Sequence, residues 1–397
     1  MSQQHNDPVV IVSAARTPMG AFQGDFSELS ANDLGGAAIK AAVERAGIQP
    51  EQVEEVLFGN CLMAGQGQAP ARQAGFKGGL PQSTGAVTLS KMCGAGMEAT
   101  ILAHDQLIAG SRDVMIAGGM ESMTNAPYLL KKGRGGYRMG HDKIFDHMML
   151  DGLEDAYEPG RSMGTFGEDC AAKYDFTREA QDAYAIASVQ RAQAAAENGG
   201  FKDEITPVTV KTRKGDVTVS VDEGPAKARL DKISSLKPAF KKDGTITAAS
   251  SSSINDGAAA MVLMRESTAK ALGCKPLARI VAHGTHAQAP EWFTTAPVGA
   301  TEKALKKAGW KVEDVDLWEV NEAFAVVPMA LMKELNVPHD KVNVNGGACA
   351  LGHPIGASGA RILVTLIHAL KARGKKKGLA TLCIGGGEGT AMAIELI

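Results

Sequence analysis

The sequence predicts an α/β protein of two related halves, with a further segment inserted in the first. Short β-type runs alternate with longer helix-type runs such as Ala31–Ala46 and 300–308, which is the pattern of α/β proteins. Three stretches also recur in the same order toward the two ends of the chain. Ala46-Gly47-Ile48, acidic residues and Val56-Leu57-Phe58-Gly59-Asn60 are echoed by Ala308-Gly309-Trp310, Glu313-Asp314 and Val315-Asp316-Leu317-Trp318-Glu319-Val320-Asn321. The passage around Cys93 is echoed around His353: 342–345 reads as a strand, Gly346-Gly347 and Gly352-His353-Pro354 as the connection, and 358–372 as a helix. Val114-Met115-Ile116-Ala117-Gly118-Gly119 is answered by Ala380-Thr381-Leu382-Cys383-Ile384-Gly385-Gly386.

The segment between the echoes is of another kind. It carries the basic run Lys131-Lys132-Gly133-Arg134-Gly135-Gly136-Tyr137-Arg138 and a charged passage over 211–242. Between them a helix is expected over 177–197, begun by Thr177 with Glu179 and ended by Asn198-Gly199-Gly200. Ser250-Ser251-Ser252-Ser253 and Asn255-Asp256-Gly257 read as a turn that returns the chain to the first half's sheet through a strand at 258–264. The expected division is therefore 1–121 with 248–272, an inserted domain at 122–247, and a second half at 273–397.

The 397 residues are 44% hydrophobic and 22% charged, an ordinary globular balance in a chain long enough for more than one packed unit. A formal net charge of -2 argues against a general nucleic-acid or anionic-membrane binder. The 6 cysteines contain no C-x-x-C pair, so neither a zinc site nor a disulfide framework is indicated, and a reducing compartment fits. Met1 to Pro8 shows no hydrophobic leader, Glu395-Leu396-Ile397 is no peroxisomal signal, and no apolar stretch reads as long enough to cross a bilayer. A cytoplasmic, soluble protein is expected.

Cys93 stands where a strand-like run passes through Gly94 and Gly96 into a helix-like one. A thiol at a helix start faces free N–H groups and the positive dipole end, so a lowered pKa and a nucleophilic role are expected. Two glycine motifs carry less. Gly94-x-Gly96-x-x-Ala99 is no dinucleotide fingerprint, since it lies far from the first strand and no acidic residue closes a clear following strand. Gly385-Gly386-Gly387-Glu388-Gly389 lacks the Lys-Ser/Thr of a phosphate loop and reads as a place of close backbone approach to a ligand.

Four blocks together resemble the thiolases: Lys91-Met92-Cys93-Gly94-Ala95-Gly96-Met97, Asn321-Glu322-Ala323-Phe324-Ala325, Asn345-Gly346-Gly347 with Leu351 to Arg361, and Leu382-Cys383-Ile384-Gly385-Gly386-Gly387. The resemblance runs from Ala14 to the C-terminus. It implies the thiolase fold, two βαβαβαββ halves stacked as five layers (αβαβα) with an inserted loop domain. It also implies a homo-oligomer, a dimer or, more often in the acetoacetyl-CoA branch, a tetramer built as a dimer of dimers, with the segment 131–138 where that branch carries its tetramerisation loop. The implied chemistry joins two acetyl-CoA into acetoacetyl-CoA and CoA, or runs the reverse thiolysis. CoA thioesters are then substrates, with no cofactor or metal held permanently.

By the same resemblance Cys93 is the acylated nucleophile, His353 its base, and Cys383 the acid and base toward the second substrate. His353 with a water on Asn321 would form one oxyanion site, and the N–H groups of Cys93 and Gly385 the other. Leu153, Met163, Ser252, Ala323 and Phe324 would line the pantetheine arm of CoA. For Glu322 a structural and a catalytic role are equally open. Cys349 reads as packing, and Lys227 and Arg229 as solvated charges near the phosphate end. Ser162 stands where short-chain relatives commonly have His, which leaves chain length open. Trp292-Phe293 in a pocket loop would favour short acyl groups. A 3-ketoacyl-CoA thiolase of longer chain range is the alternative, and a decarboxylating ketosynthase or a silent scaffold would be alternatives of another class.

Overall fold

The two halves repeat one strand arrangement. In the first, Gly85–Leu89 runs parallel to Glu55–Gly59, and Glu55–Gly59 parallel to Val114–Ser122. Asn255–Arg265 then pairs antiparallel to Val114–Ser122, and Val9–Arg16 antiparallel to Asn255–Arg265. In the second half Leu317–Val320 is parallel to Lys377–Ile384, followed by the antiparallel pair Glu388–Leu396 and Ala278–Ala287. Even the irregularity repeats: the register shifts between Ile11 and Ser13 in one half and between Ile280 and Ala282 in the other. Val10 and Ile11 pair with Arg279 and Ala278, which joins both sets and the short Gly20–Ala21 into one 10-stranded sheet. The structure, a computed structural model, describes residues 7–397. Most of the stretch read for a leader, residues 1–6, lies outside the described residues.

The expected strand at 342–345 is a single bridge between Trp318 and Val342. Asn343 is the reason. Its backbone is left-handed (φ 47), and its side chain accepts the Val320 N–H and donates to the Val320 carbonyl, both at 2.8 Å, so the chain turns out of the sheet there.

Helices complete the five layers. Ala31–Ala46 and Pro70–Lys77 cover the outer face of the first strand set, and Ala296–Ala308 with Val326–Leu335 that of the second. The middle layer is Ala95–Ile108 against Ile355–Ala372, buried between strands of both halves. Small residues make this crossing close. A Cβ on Gly359 would lie 2.4 Å from the Met97 backbone N, and one on Gly96 2.7 Å from the Ala360 N. The two helices therefore touch near their N-termini, and that contact carries the segments holding Cys93 and His353 toward each other.

One sequence expectation is corrected here. Ile355–Ala372 is long and apolar enough, by length and composition, to cross a membrane. In the structure 83% of it is buried inside the protein, so its apolar character serves the middle layer.

The expected helix at 177–197 is Arg178–Glu197, with the Thr177 hydroxyl accepting the Ala180 N–H. The expected strand at 258–264 extends over Asn255–Arg265 and lies between two first-half strands. The segment between is tied down by Arg16, fully buried, which meets Glu204 at 2.5 Å and Asp222 at 2.7 Å. Two carboxylates satisfy the buried guanidinium, whereas a lone partner lost would leave an unpaired charge.

Candidate active site

Cys93 follows the strand Gly85–Leu89 and precedes Gly94, the cap of Ala95–Ile108. Met92, at φ 45, is a non-glycine residue in the left-handed region, a strained turn of the kind held at functional sites. His353 follows Gly352, whose φ of 99 and lack of a side chain are both required, since a Cβ there would lie 2.0 Å from the Asn255 side chain. The two segments bring the Cys93 Sγ within 3.2 Å of the His353 Nε2.

Ser358 decides which way the imidazole works. Its hydroxyl donates to the Pro354 carbonyl at 2.9 Å, so its oxygen is left to accept from His353 Nδ1–H. That fixes the proton on Nδ1 and turns the Nε2 lone pair toward the thiol. Ser358 lies in the block Leu351 to Arg361 that resembles the thiolases, but carried no role of its own there. Its meaning comes from lying one helical turn into Ile355–Ala372, above the histidine that precedes the helix.

The expectation of an acidic thiol at rest is corrected. Burial pushes the Cys93 thiol up to about 11, although the N–H groups of Gly385 and of Cys93 itself act to lower it. Burial, with the Arg361 charge second, holds His353 down at about 3. At neutral pH the pair is therefore thiol and neutral imidazole, and the proton must move during attack.

A cavity of about 330 Å³ opens onto these groups. Cys93, His353 and Gly385 line it together with Leu153, Met163, Ser252, Ala323 and Phe324. Ser252 is positioned by its own N–H on the Ala323 carbonyl at 2.9 Å. Cys383 and Asn321 are not among the residues that line it. Cys383 is fully buried near the end of Lys377–Ile384, and burial first and Cys93 second raise its thiol well above the ordinary range. Asn321 is fully buried with neither side-chain polar atom partnered by the protein. A buried amide left open on both sides is a place for a water or a substrate group.

Other expectations separate. Glu322 accepts from Tyr184, Ser188, Asn343 and the Cys349 N–H at 2.7 to 2.9 Å, which makes it a knot between Arg178–Glu197 and the loop before His353. Cys349 is held in that knot, away from the cavity wall. Phe293 lines the cavity and meets Phe166 edge to face, whereas Trp292 turns away under the Lys173 ammonium at 4.2 Å. The expected pair of pocket aromatics is thus one. Ser162 stands just before Met163–Tyr174, with no capping bond from its side chain, and does not reach the cavity wall. Lys227 and Arg229 pair with Glu223 and Asp231. Glu121 was not anticipated. Buried, with its pKa raised to about 7, it accepts from the N–H groups of Cys61, Leu62 and Gly356, holding the His353 helix to the first half.

A half-buried cysteine and a buried histidine poised for proton transfer, in an apolar cavity, define an enzyme with a cysteine nucleophile. Residues 9–267 match the thiolase N-terminal domain and residues 274–396 the thiolase C-terminal domain. The chain belongs to the thiolase family. It is 53% identical over 389 residues to an acetyl-CoA acetyltransferase of Chromobacterium violaceum, covering 98% of this chain and 99% of that one. It is 52% identical to one of Escherichia coli, covering 97% and 98%. The crystal structure of the Bacillus anthracis acetyl-CoA acetyltransferase superposes with a TM-score of 0.96 at 42% identity, covering 98% of this chain and 99% of that one. That of the Acat5 thiolase from Ascaris suum in complex with coenzyme A gives 0.93 at 41%, covering 98% and 100%.

Proposed function

We propose that the protein is an acetyl-CoA acetyltransferase, joining two acetyl-CoA into acetoacetyl-CoA and CoA and running the reverse thiolysis. The observation that carries the reading is the Cys93 Sγ at 3.2 Å from His353 Nε2 in a cavity that also holds the Gly385 turn. The Cys93 sulfur attacks the thioester carbonyl as Nε2 takes the thiol proton, and the same proton then goes to the leaving CoA sulfur. The amides of Cys93 and Gly385 hold the oxyanion. Cys383 gives its thiol proton to the emptied Nε2 of His353, its thiolate then takes a methyl proton from a second acetyl-CoA, and the resulting carbanion attacks the acyl-cysteine and expels the Cys93 thiolate, which recovers its proton from Nε2. The enolate oxygen is held by the Nε2–H of the protonated His353 and by a water on Asn321. No resident cofactor is needed for these steps.

Asn321→Ala is expected to lower turnover about 100- to 1,000-fold with the melting temperature unchanged, as for loss of an oxyanion donor. A normal kcat would remove the Asn321 water from the mechanism.

Phe293 at the acyl end of the cavity favours a short chain. The test is kcat/KM for CoA-dependent cleavage of acetoacetyl-CoA and of a 3-ketoacyl-CoA several carbons longer. A strong preference for acetoacetyl-CoA is expected, narrowed about tenfold or more in Phe293→Ala, the scale of a methylene or two in an apolar pocket. Faster long-chain cleavage by the wild type would make this a thiolase of longer chain range, and turnover of malonyl thioesters alone a ketosynthase.

We further infer a tetramer, supported by the exposed apolar side chains Tyr128, Leu130, Met139 and Ile144 on the arm that includes the basic run. A cytoplasmic setting is supported by the free state of all 6 cysteines. A place in fatty-acid metabolism follows from the substrates.

A further inference from the structure

We propose that the ion pair between Lys91 and Glu388 sets the spacing of the two amides that receive the oxyanion, making both side chains positioning residues for acyl transfer. The proposal rests on the acyl-cysteine reading above. The Cys93 and Gly385 N–H groups both act on the Cys93 sulfur, yet they belong to different halves of the protein. Their separation is therefore set by how two loops seat against each other.

On one side, Lys91 stands two residues before Cys93, and its carbonyl accepts the Gly94 N–H at 3.0 Å, so its position is locked to the nucleophile turn. On the other, Glu388 opens the strand Glu388–Leu396 and pairs with Ile384 across the Gly385-Gly386-Gly387 turn. Ile384 rests against Gly94, where a Cβ would meet its Cδ1 at 2.4 Å. That apolar contact keeps the loops together and leaves them free to slide. The Lys91 Nζ to Glu388 Oε2 contact at 2.6 Å supplies direction. Neither side chain lines the cavity, so they act through the amides and not on substrate.

Both side chains are only half-buried, and such a pair adds little to overall stability. Its effect is on alignment, where a displacement of about 1 Å can cost up to a hundredfold in rate. Glu98 lies close enough for its carboxyl to feel both charges and offers Lys91 a second partner, which would pull the nucleophile turn away from Gly385 when Glu388 is neutralised.

Glu388→Gln and Lys91→Met are each expected to lower the kcat of thiolysis about tenfold, with the KM for CoA and the melting temperature unchanged. The double exchange Lys91→Glu with Glu388→Lys should recover part of the loss, since Glu98 opposes a carboxylate at position 91. Alkylation of Cys93 by iodoacetamide at pH 8 should slow several-fold in Glu388→Gln, because its thiolate loses a well-placed donor. An unchanged kcat and alkylation rate, or a double exchange no better than the single changes, would overturn the proposal. The alkylation readout does not depend on substrate. A wild type without thiolysis would thus count against the functional reading alone, while unchanged alkylation in Glu388→Gln would count against the ion pair.

Discussion

Cys383→Ser is expected to reduce condensation and thiolysis about a thousandfold while acetyl exchange between CoA molecules continues near the wild-type rate. Exchange needs only acylation and deacylation of Cys93, and the Cys93 to His353 contact is untouched by the change. Carbon–carbon bond formation needs a base for the substrate methyl group, and loss of a general acid or base costs about 100- to 10,000-fold. A serine hydroxyl is far less acidic than a thiol and cannot serve. The measurement is exchange of labelled CoA into acetyl-CoA beside acetoacetyl-CoA cleavage on one preparation. Parallel loss of both would assign Cys383 to the first step or to packing.

His353→Ala should suppress both exchange and cleavage, by about 1,000-fold or more, because the proton of a thiol held at about 11 then has nowhere to go. Ionising such a thiol at pH 7 costs on the order of 5 kcal/mol, so loss of the proton and bond formation to the carbonyl must proceed together. A pH dependence follows with a definite sign. The thiolate fraction rises with pH toward about 11, and the imidazole, held at about 3, is neutral throughout the ordinary range. Alkylation of the free wild-type enzyme should therefore climb roughly tenfold per pH unit from pH 6 to 10. A rate flat from pH 6 upward would mean a thiolate–imidazolium pair at rest. Ser358→Ala should give a milder form of the His353 defect, since the ring is retained while its tautomer is no longer imposed.

The repeat of the fold was legible because both halves use the same strand and helix signals in the same order. Only where a side chain replaced backbone pairing, as Asn343 does with Val320, did the pattern mislead. The nucleophile turn and the histidine loop stood out because each follows an echoed strand and opens a helix. Their distance from one another did not, since it depends on Gly96 and Gly359 letting two helices touch. The roles of Ser358 and Glu121 were invisible for a related reason: each residue acts by where its oxygen points within a packed turn. The resting state of Cys93 was misread because a helix start near solvent lowers a thiol's pKa, whereas desolvation at a helix start between two halves raises it.

The strand order also has a consequence for synthesis. Among the described residues, Val9–Arg16 pairs with Asn255–Arg265 along its length and with Ala278–Ala287 at Val10 and Ile11, beside a single bridge from Arg16 to Ile205. The run Val9-Val10-Ile11-Val12-Ser13-Ala14-Ala15, uncharged and rich in β-branched residues, therefore leaves the ribosome well before the strands that pair with it. At ordinary translation speeds roughly ten to fifty seconds pass before Asn255–Arg265 emerges to cover it. During that interval it is a template for pairing with other nascent chains. The length of the wait, rather than the stability of the finished protein, sets how much of the chain can be made at once without aggregating.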